Sequence, residues 1–126
     1  MSYDAITYET DGRVAIITFN RPRQHNAFNA PLREEIPKAV RRADEDPNIR
    51  VLVITGAGGS AFSAGYDLKE LPKTQPPIGD LRDRMASDLD YTYCVWRCSK
   101  PVIAMIDGWC LGGALEFAQM CDVRYC

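Results

Sequence analysis

Residues 106–121, IDGWCLGGALEFAQMC, hold the groups best placed to do chemistry: a Gly112-Gly113 pair at the expected start of a helix, and Glu116 one turn further on. Adjacent glycines let backbone approach a ligand closely, and the first N–H groups of a helix have no partner inside it. The same helix end favours negative charge. Glu116 stands between Leu115 and the Phe117-Ala118 pair. A carboxylate with apolar neighbours is a candidate acid or base, because desolvation favours its neutral form. Donors for a growing negative charge beside a proton carrier describe carbonyl chemistry. The plain alternative is a helix that opens on glycines for close packing and leaves Glu116 in solvent.

These residues need elements to position them. Residues 3–9 and 14–19 read as strands around Asp11-Gly12, a hairpin signal. After the loop NRPRQHNAFN (20–29), Asn29 caps a helix opening near Pro31, with Leu32, Ile36, Ala39, Val40 and Ala43 on one face. Pro37 inside it is expected to kink the helix or delay its start. The run IRVLVIT (49–55) reads as a strand buried on both faces. The loop GAGGSAFSAG follows, then about one helical turn over 66–71 and an irregular Pro-rich stretch over 72–79. Leu81, Met85, Leu89, Tyr93 and Trp96 recur at helical spacing, which predicts a helix over 80–99 with that stripe in the core. Lys100-Pro101 ends it. A strand over 102–106 then leads into the Gly112-Gly113 helix and a final strand. The order is β-β-α-β-loop-α-β-α-β, an α/β chain.

Composition narrows the function. The 126 residues are 46% hydrophobic and 25% charged, with net charge −2. This is an ordinary globular make-up, with no basic excess for nucleic acid and no apolar run long enough for a membrane span. Five cysteines without CxxC spacing, and a single distant His25, argue against a metal site. An odd count with no signal peptide fits free thiols in a reducing cytoplasm. Cys110 lies near the glycines without a partner base, which argues against a nucleophile. Trp96 and Trp109 read as core or interface anchors. Arg21 and Arg23, inside the loop motif, read as ligand contacts ahead of solvated charges, whereas Lys69 reads at least as well as a solvated charge.

The loop Gly56-Ala57-Gly58-Gly59-Ser60-Ala61 matches G-x-G-x-x-[G/A] after a strand, the dinucleotide fingerprint. That fingerprint needs a helix opening in the loop. Here Phe62-Ser63-Ala64-Gly65 and the Pro-rich stretch follow instead. A different use suits the segment: Ala64-Gly65-Tyr66-Asp67 forms a second strand-to-helix turn, so that two turns supply one amide donor each to an oxyanion hole.

Three stretches, NRPRQHNAFN, VLVITGAGGSAFSAGYDLKEL and KPVIAMIDGWCLGGALEFAQMCDVRYC, together resemble the enoyl-CoA hydratase/isomerase (crotonase) family, in the family's order and over most of the chain. The resemblance implies a crotonase-like spiral of β-β-α units, C-terminally truncated, with residues 1–126 as the N-terminal portion of one domain. It implies an acyl-CoA substrate, most simply an enoyl-CoA undergoing hydration. On that footing Tyr66 and Gly113 give the oxyanion amides and Glu116 is the acid/base. Arg23, Gln24, His25, Ala64, Asp67 and Leu68 contact substrate or CoA beside Tyr66 and Gly113. No permanent cofactor and no metal are implied; CoA enters as part of the substrate. A homo-oligomer, trimer or hexamer, is implied for the whole protein. The family's second hydratase glutamate falls past Cys126. Tyr66 stands where a small residue is common, and Ala114 replaces a third glycine. Isomerisation, decarboxylation, a catalytically incomplete fragment and a dinucleotide-binding module are the alternatives.

Overall fold

The computed structural model describes residues 2–126. Strands β1 (Ile6–Asp11) and β2 (Val14–Phe19) form an antiparallel hairpin with Ile6 opposite Phe19 and Asp11 opposite Val14. β2 then pairs parallel with β3 (Val51–Gly56), β3 with β5 (Val102–Met105), and β5 with β7 (Val123–Tyr125). The sheet order is β1-β2-β3-β5-β7. Two short strands absent from the sequence reading, β4 (Ala61–Ser63) and β6 (Trp109–Cys110), make a separate parallel pair.

Helix α1 (Ala30–Glu45) opens where expected, with the Asn29 side chain accepting from Leu32 N–H at 3.1 Å. Its five expected apolar residues are all buried, and the helix runs unbroken through Pro37. The other helices are α2 (Ile78–Arg97) and α3 (Gly113–Met120). Ala15, Ile17, Phe19, Leu52, Ile54, Val102 and Ala104 face the core that these helices cover. Val51, Val53 and Ile103 between them are only half-buried. The strands therefore alternate, and the expectation of β3 buried on both faces is corrected: the sheet is fully covered on one side.

The core stripe expected on α2 is also wrong. Met85 is 58% and Trp96 68% exposed, and Leu81, Leu89 and Tyr93 are exposed as well. The buried side is Tyr91, Thr92 and Val95, offset around the helix. The Tyr91 ring packs edge-on to Phe28 at 5.2 Å, and on the same side Arg33 Nε of α1 pairs with Asp88 at 3.3 Å.

Candidate active site

In a parallel sheet, neighbouring strands end at the same edge, and ligands gather at their carboxyl ends. β3 and β5 are such neighbours. The turns that follow them run side by side as the β4–β6 pair, held by Trp109 N–H on Ser60 O and Leu111 N–H on Ser63 O, both 3.2 Å. This second sheet brings residues 65–66 against residues 111–113. Gly65 makes the approach possible. Its φ is +90°, and a Cβ there would lie 2.6 Å from Leu111 O and 3.1 Å from Gly113 N. No other residue type fits both the backbone angle and the space. In turn, a Cβ on Gly113 would lie 3.8 Å from Tyr66 N.

The direction of the Tyr66 amide follows from its bridge to Phe28. Phe28 N–H donates to Gly65 O at 2.7 Å, and Asp67 N–H donates to Phe28 O at 3.1 Å. A parallel bridge of this kind uses the groups of residues 65 and 67 and turns the N–H of Tyr66 to the opposite side. Gly113 is the first residue of α3, after Gly112, whose positive φ (53°) with ψ −125° is a conformation open to glycine. Its N–H is one of the unpartnered amides of a helix start. Among the described residues neither N–H has an acceptor in the chain. Two free amides from separate crossovers thus lie beside each other.

Buried side chains hold the loops. Asn26 accepts from Arg21 N–H at 2.9 Å and donates to Ala57 O at 3.0 Å and Ala61 O at 2.9 Å. Arg33 donates to Phe28 O at 2.8 Å, pairs with Glu70 at 3.0 Å, and lies 4.4 Å from the centre of the Tyr66 ring. Arg84 donates to the Tyr66 hydroxyl at 3.3 Å. Sequence reasoning missed Arg33 and Arg84, whose partners come from distant elements.

A match to the enoyl-CoA hydratase/isomerase family model covers residues 9–126. The chain belongs to the enoyl-CoA hydratase/isomerase family. It is 39% identical, over 98% of its length, to a probable enoyl-CoA hydratase of Mycobacterium bovis. To the peroxisomal Delta(3,5)-Delta(2,4)-dienoyl-CoA isomerase of Arabidopsis thaliana it is 35% identical, also over 98%. An enoyl-CoA hydratase/isomerase from Xanthobacter autotrophicus Py2 superposes with a TM-score of 0.91 at 39% identity, covering 98% of this chain. These matches take in 46%, 48% and 46% of the three partners, so the chain spans about half the length of the relatives it matches. The α/β fold with its parallel sheet is that of the family.

Within this family frame, the remaining site residues fall into two groups. His25 and Ala64 come together: Ala64 N–H donates to His25 O at 2.9 Å, and with Trp109 and Leu111 the two line an open apolar cavity of about 310 Å³. Arg23 and Gln24 are exposed on the same loop, and Leu68 is exposed on the short 3₁₀ turn Leu68–Glu70. Asp67 is different. Its carboxylate is buried, pairs with Arg21 at 3.2 Å and accepts from Lys69 N–H at 3.1 Å, so it shapes the loop instead of offering a free charge. Arg21 is thereby fixed inside the fold, while Lys69 is exposed. Trp109 is 66% and Trp96 68% exposed, so of the core or interface roles expected for them neither takes the core one in this chain.

Glu116 is exposed, and the apolar shield expected around it is not formed in this chain. Phe117 and Ala118 turn into the core on the other side of α3, and Leu115 is 47% exposed. The Gly56–Ala61 loop enters strand β4 and not a helix, so it lacks the helix end that a dinucleotide's pyrophosphate requires. Among the described residues, no group of three or more His, Cys, Asp or Glu is placed to hold a metal, and no helix is long and apolar enough to cross a membrane.

Proposed function

We propose that the protein is an acyl-CoA enzyme whose site polarises a thioester, and that its reaction is the reversible addition of water to an α,β-unsaturated acyl-CoA. The observation that carries this reading is the contact of Gly65 with Leu111 and Gly113, which sets the Tyr66 and Gly113 amides side by side. Addition of water at the β-carbon builds enolate charge on the thioester oxygen. Two preorganised N–H donors stabilise that charge, each contributing about 3 kcal/mol where single donors have been removed. Glu116 sits one turn along α3 from Gly113, in reach of the carbon skeleton, and moves the proton between water and carbon. Positioned acid–base groups contribute roughly 10²–10⁴-fold. Arg23, Gln24, His25, Ala64 and Leu68 bind the CoA part, with the cavity beside Trp109 as its seat. Residues 1–126 are the N-terminal portion of a single crotonase-like domain in this reading. The enzyme needs no permanent cofactor, works in the cytoplasm, and assembles as a homo-oligomer, a trimer or hexamer.

The similarity to a dienoyl-CoA isomerase supports a second reading, a proton shift along the acyl chain on the same oxyanion grip. Glu116→Gln separates the two. With a short 2-enoyl-CoA, hydration falls at least 100-fold while CoA affinity stays within threefold. Isomerase chemistry would instead show as Glu116-dependent double-bond migration without water uptake. Unchanged turnover in Glu116→Gln removes Glu116 from either mechanism.

A further inference from the structure

One polar group beside the two amides has no part in the reaction as described. Tyr91, on α2, is 6% exposed, and its ring stands edge-on to Phe28 at 5.2 Å. Its hydroxyl lies 3.2 Å from the point a Cβ on Gly113 would occupy, the same point that is 3.8 Å from Tyr66 N. The absence of a side chain at 113 leaves that space open between the phenol and the amide. Among the described residues the one side-chain hydrogen bond to Tyr91 is that of the Cys94 thiol on its backbone carbonyl, and none takes the phenol proton. The buried side-chain oxygens without a partner among the described residues are those of Tyr3 and Tyr8; the Tyr91 oxygen is not sealed off, and it opens on the space beside the amides, where a ligand oxygen can accept its proton.

We propose that Tyr91 is a third donor of the oxyanion site, its O–H reaching the thioester oxygen gripped by Tyr66 and Gly113. The inference rests on the acyl-CoA reading above. Tyr91 keeps its proton throughout: it stabilises charge and transfers nothing. Burial, chiefly, with the nearby charges of Glu116 and Asp88, pushes the phenol above its usual range against the smaller pull of Thr92 and Arg33, so it stays a donor at neutral pH. The arrangement also gives Gly113 a second reason to be glycine, since a methyl there would press on the hydroxyl.

The test is the infrared band of the ¹³C-labelled thioester carbonyl of crotonyl-CoA bound to the 126-residue chain. Each donor to the oxygen lowers the stretching frequency. In Tyr91→Phe, which removes one oxygen atom and keeps the ring, the band should move part of the way back toward its free value. Crotonyl-CoA should bind three- to tenfold more weakly, and free CoA within twofold of wild type. With 3-fluorotyrosine at position 91, a stronger donor of the same shape, the band should move further down. An identical band in wild type and Tyr91→Phe overturns the third donor and leaves the two-amide site standing. A wild-type band at the free value, or no binding of crotonyl-CoA, overturns the oxyanion reading and this inference with it.

Discussion

Replacing Gly65 with alanine tests the contact on which the site depends. At φ +90° an alanine incurs the cost of a left-handed backbone, about 1–2 kcal/mol. Its Cβ would also meet Leu111 O at 2.6 Å and Gly113 N at 3.1 Å. Both neighbours are backbone, so no side chain can swing away, and relief means moving one crossover off the other. Forced overpacking adds about 1–3 kcal/mol, for a total near 2–5 kcal/mol. Two other glycines separate the contributions. Gly12 has φ +56° with nothing within 4 Å, so Gly12→Ala carries backbone strain alone. Gly79, without positive φ and with open space, gains up to about 1 kcal/mol of helix propensity as alanine. Urea unfolding followed by tryptophan fluorescence reads all three. With a slope of about 1.5 kcal/mol per molar, Gly65→Ala should lower the midpoint by roughly 1.5–3 M. Gly12→Ala should lower it by less than 1.5 M on the same slope, and Gly79→Ala should leave it unchanged or raise it. If Gly65→Ala costs no more than Gly12→Ala, the two crossovers do not touch, and the convergence of the Tyr66 and Gly113 amides is refuted.

Two further outcomes follow from charge and burial away from the site. Asp44 ties the end of α1 to the turn before β5 by accepting from Ser99 N–H at 3.1 Å. Desolvation pushes its carboxyl upward, but the Ser99 hydroxyl and amide, the Cys98 thiol and the Lys100 charge together hold it below the usual carboxylate value of 3.8. A depressed folded value stabilises the fold above the unfolded value and is lost as pH falls through the folded one. Wild type should therefore lose more stability than Asp44→Asn between pH 5 and pH 3 in urea titrations, and a constant gap between the two would reject the linkage. Burial pushes the thiols of Cys94 and Cys121 up to about 12, and that of Cys98 to about 11. A chromogenic disulfide at pH 8 should then label exposed Cys126 within minutes in the native chain and all five cysteines only in denaturant; fast native labelling of Cys94 or Cys121 would contradict the packing.

The sequence made some of this legible and not the rest, for physical reasons. Helix α1 could be read because its signals are local: a capping Asn29 and an apolar face that tertiary packing uses unchanged. Helix α2 carries two competing faces. Its larger side chains, Met85, Leu89 and Trp96, point out, while the face that packs holds Thr92, Tyr91 and the partner of an arginine on α1. Hydrophobicity alone selects the wrong one, because the contacts of the inward face, Tyr91 on Phe28 and Asp88 on Arg33, are made with elements far away in the chain. Strands β4 and β6 are three and two residues long and exist through each other, with Ala61 paired to Trp109. No window of sequence contains both. The two strand-to-helix turns at 64–67 and 112–113 were legible as motifs, but what brings them together, Gly65 lodged against Gly113, is a contact between the continuations of those two unseen strands.

The two halves of the proposed chemistry depend on different parts of the structure. The amide donors are set by the sheet: β3 and β5 are neighbours, their crossovers must run together, and backbone groups serve whatever side chain the position carries. Tyr66 illustrates this, since its ring is free to be large, held by Arg33 and Arg84, without altering its N–H. The acid/base half depends on what surrounds Glu116, and here the residue is exposed and its chain neighbour Leu115 stands nearly half exposed. A carboxylate in that setting draws its reactivity from whatever covers α3. A relative named as a hydratase and one named as an isomerase match this stretch at 39% and 35% identity, nearly alike. That is the pattern expected if the stretch carries the grip on the thioester that both reactions require, while the choice of where the proton goes is made by residues packed over Glu116.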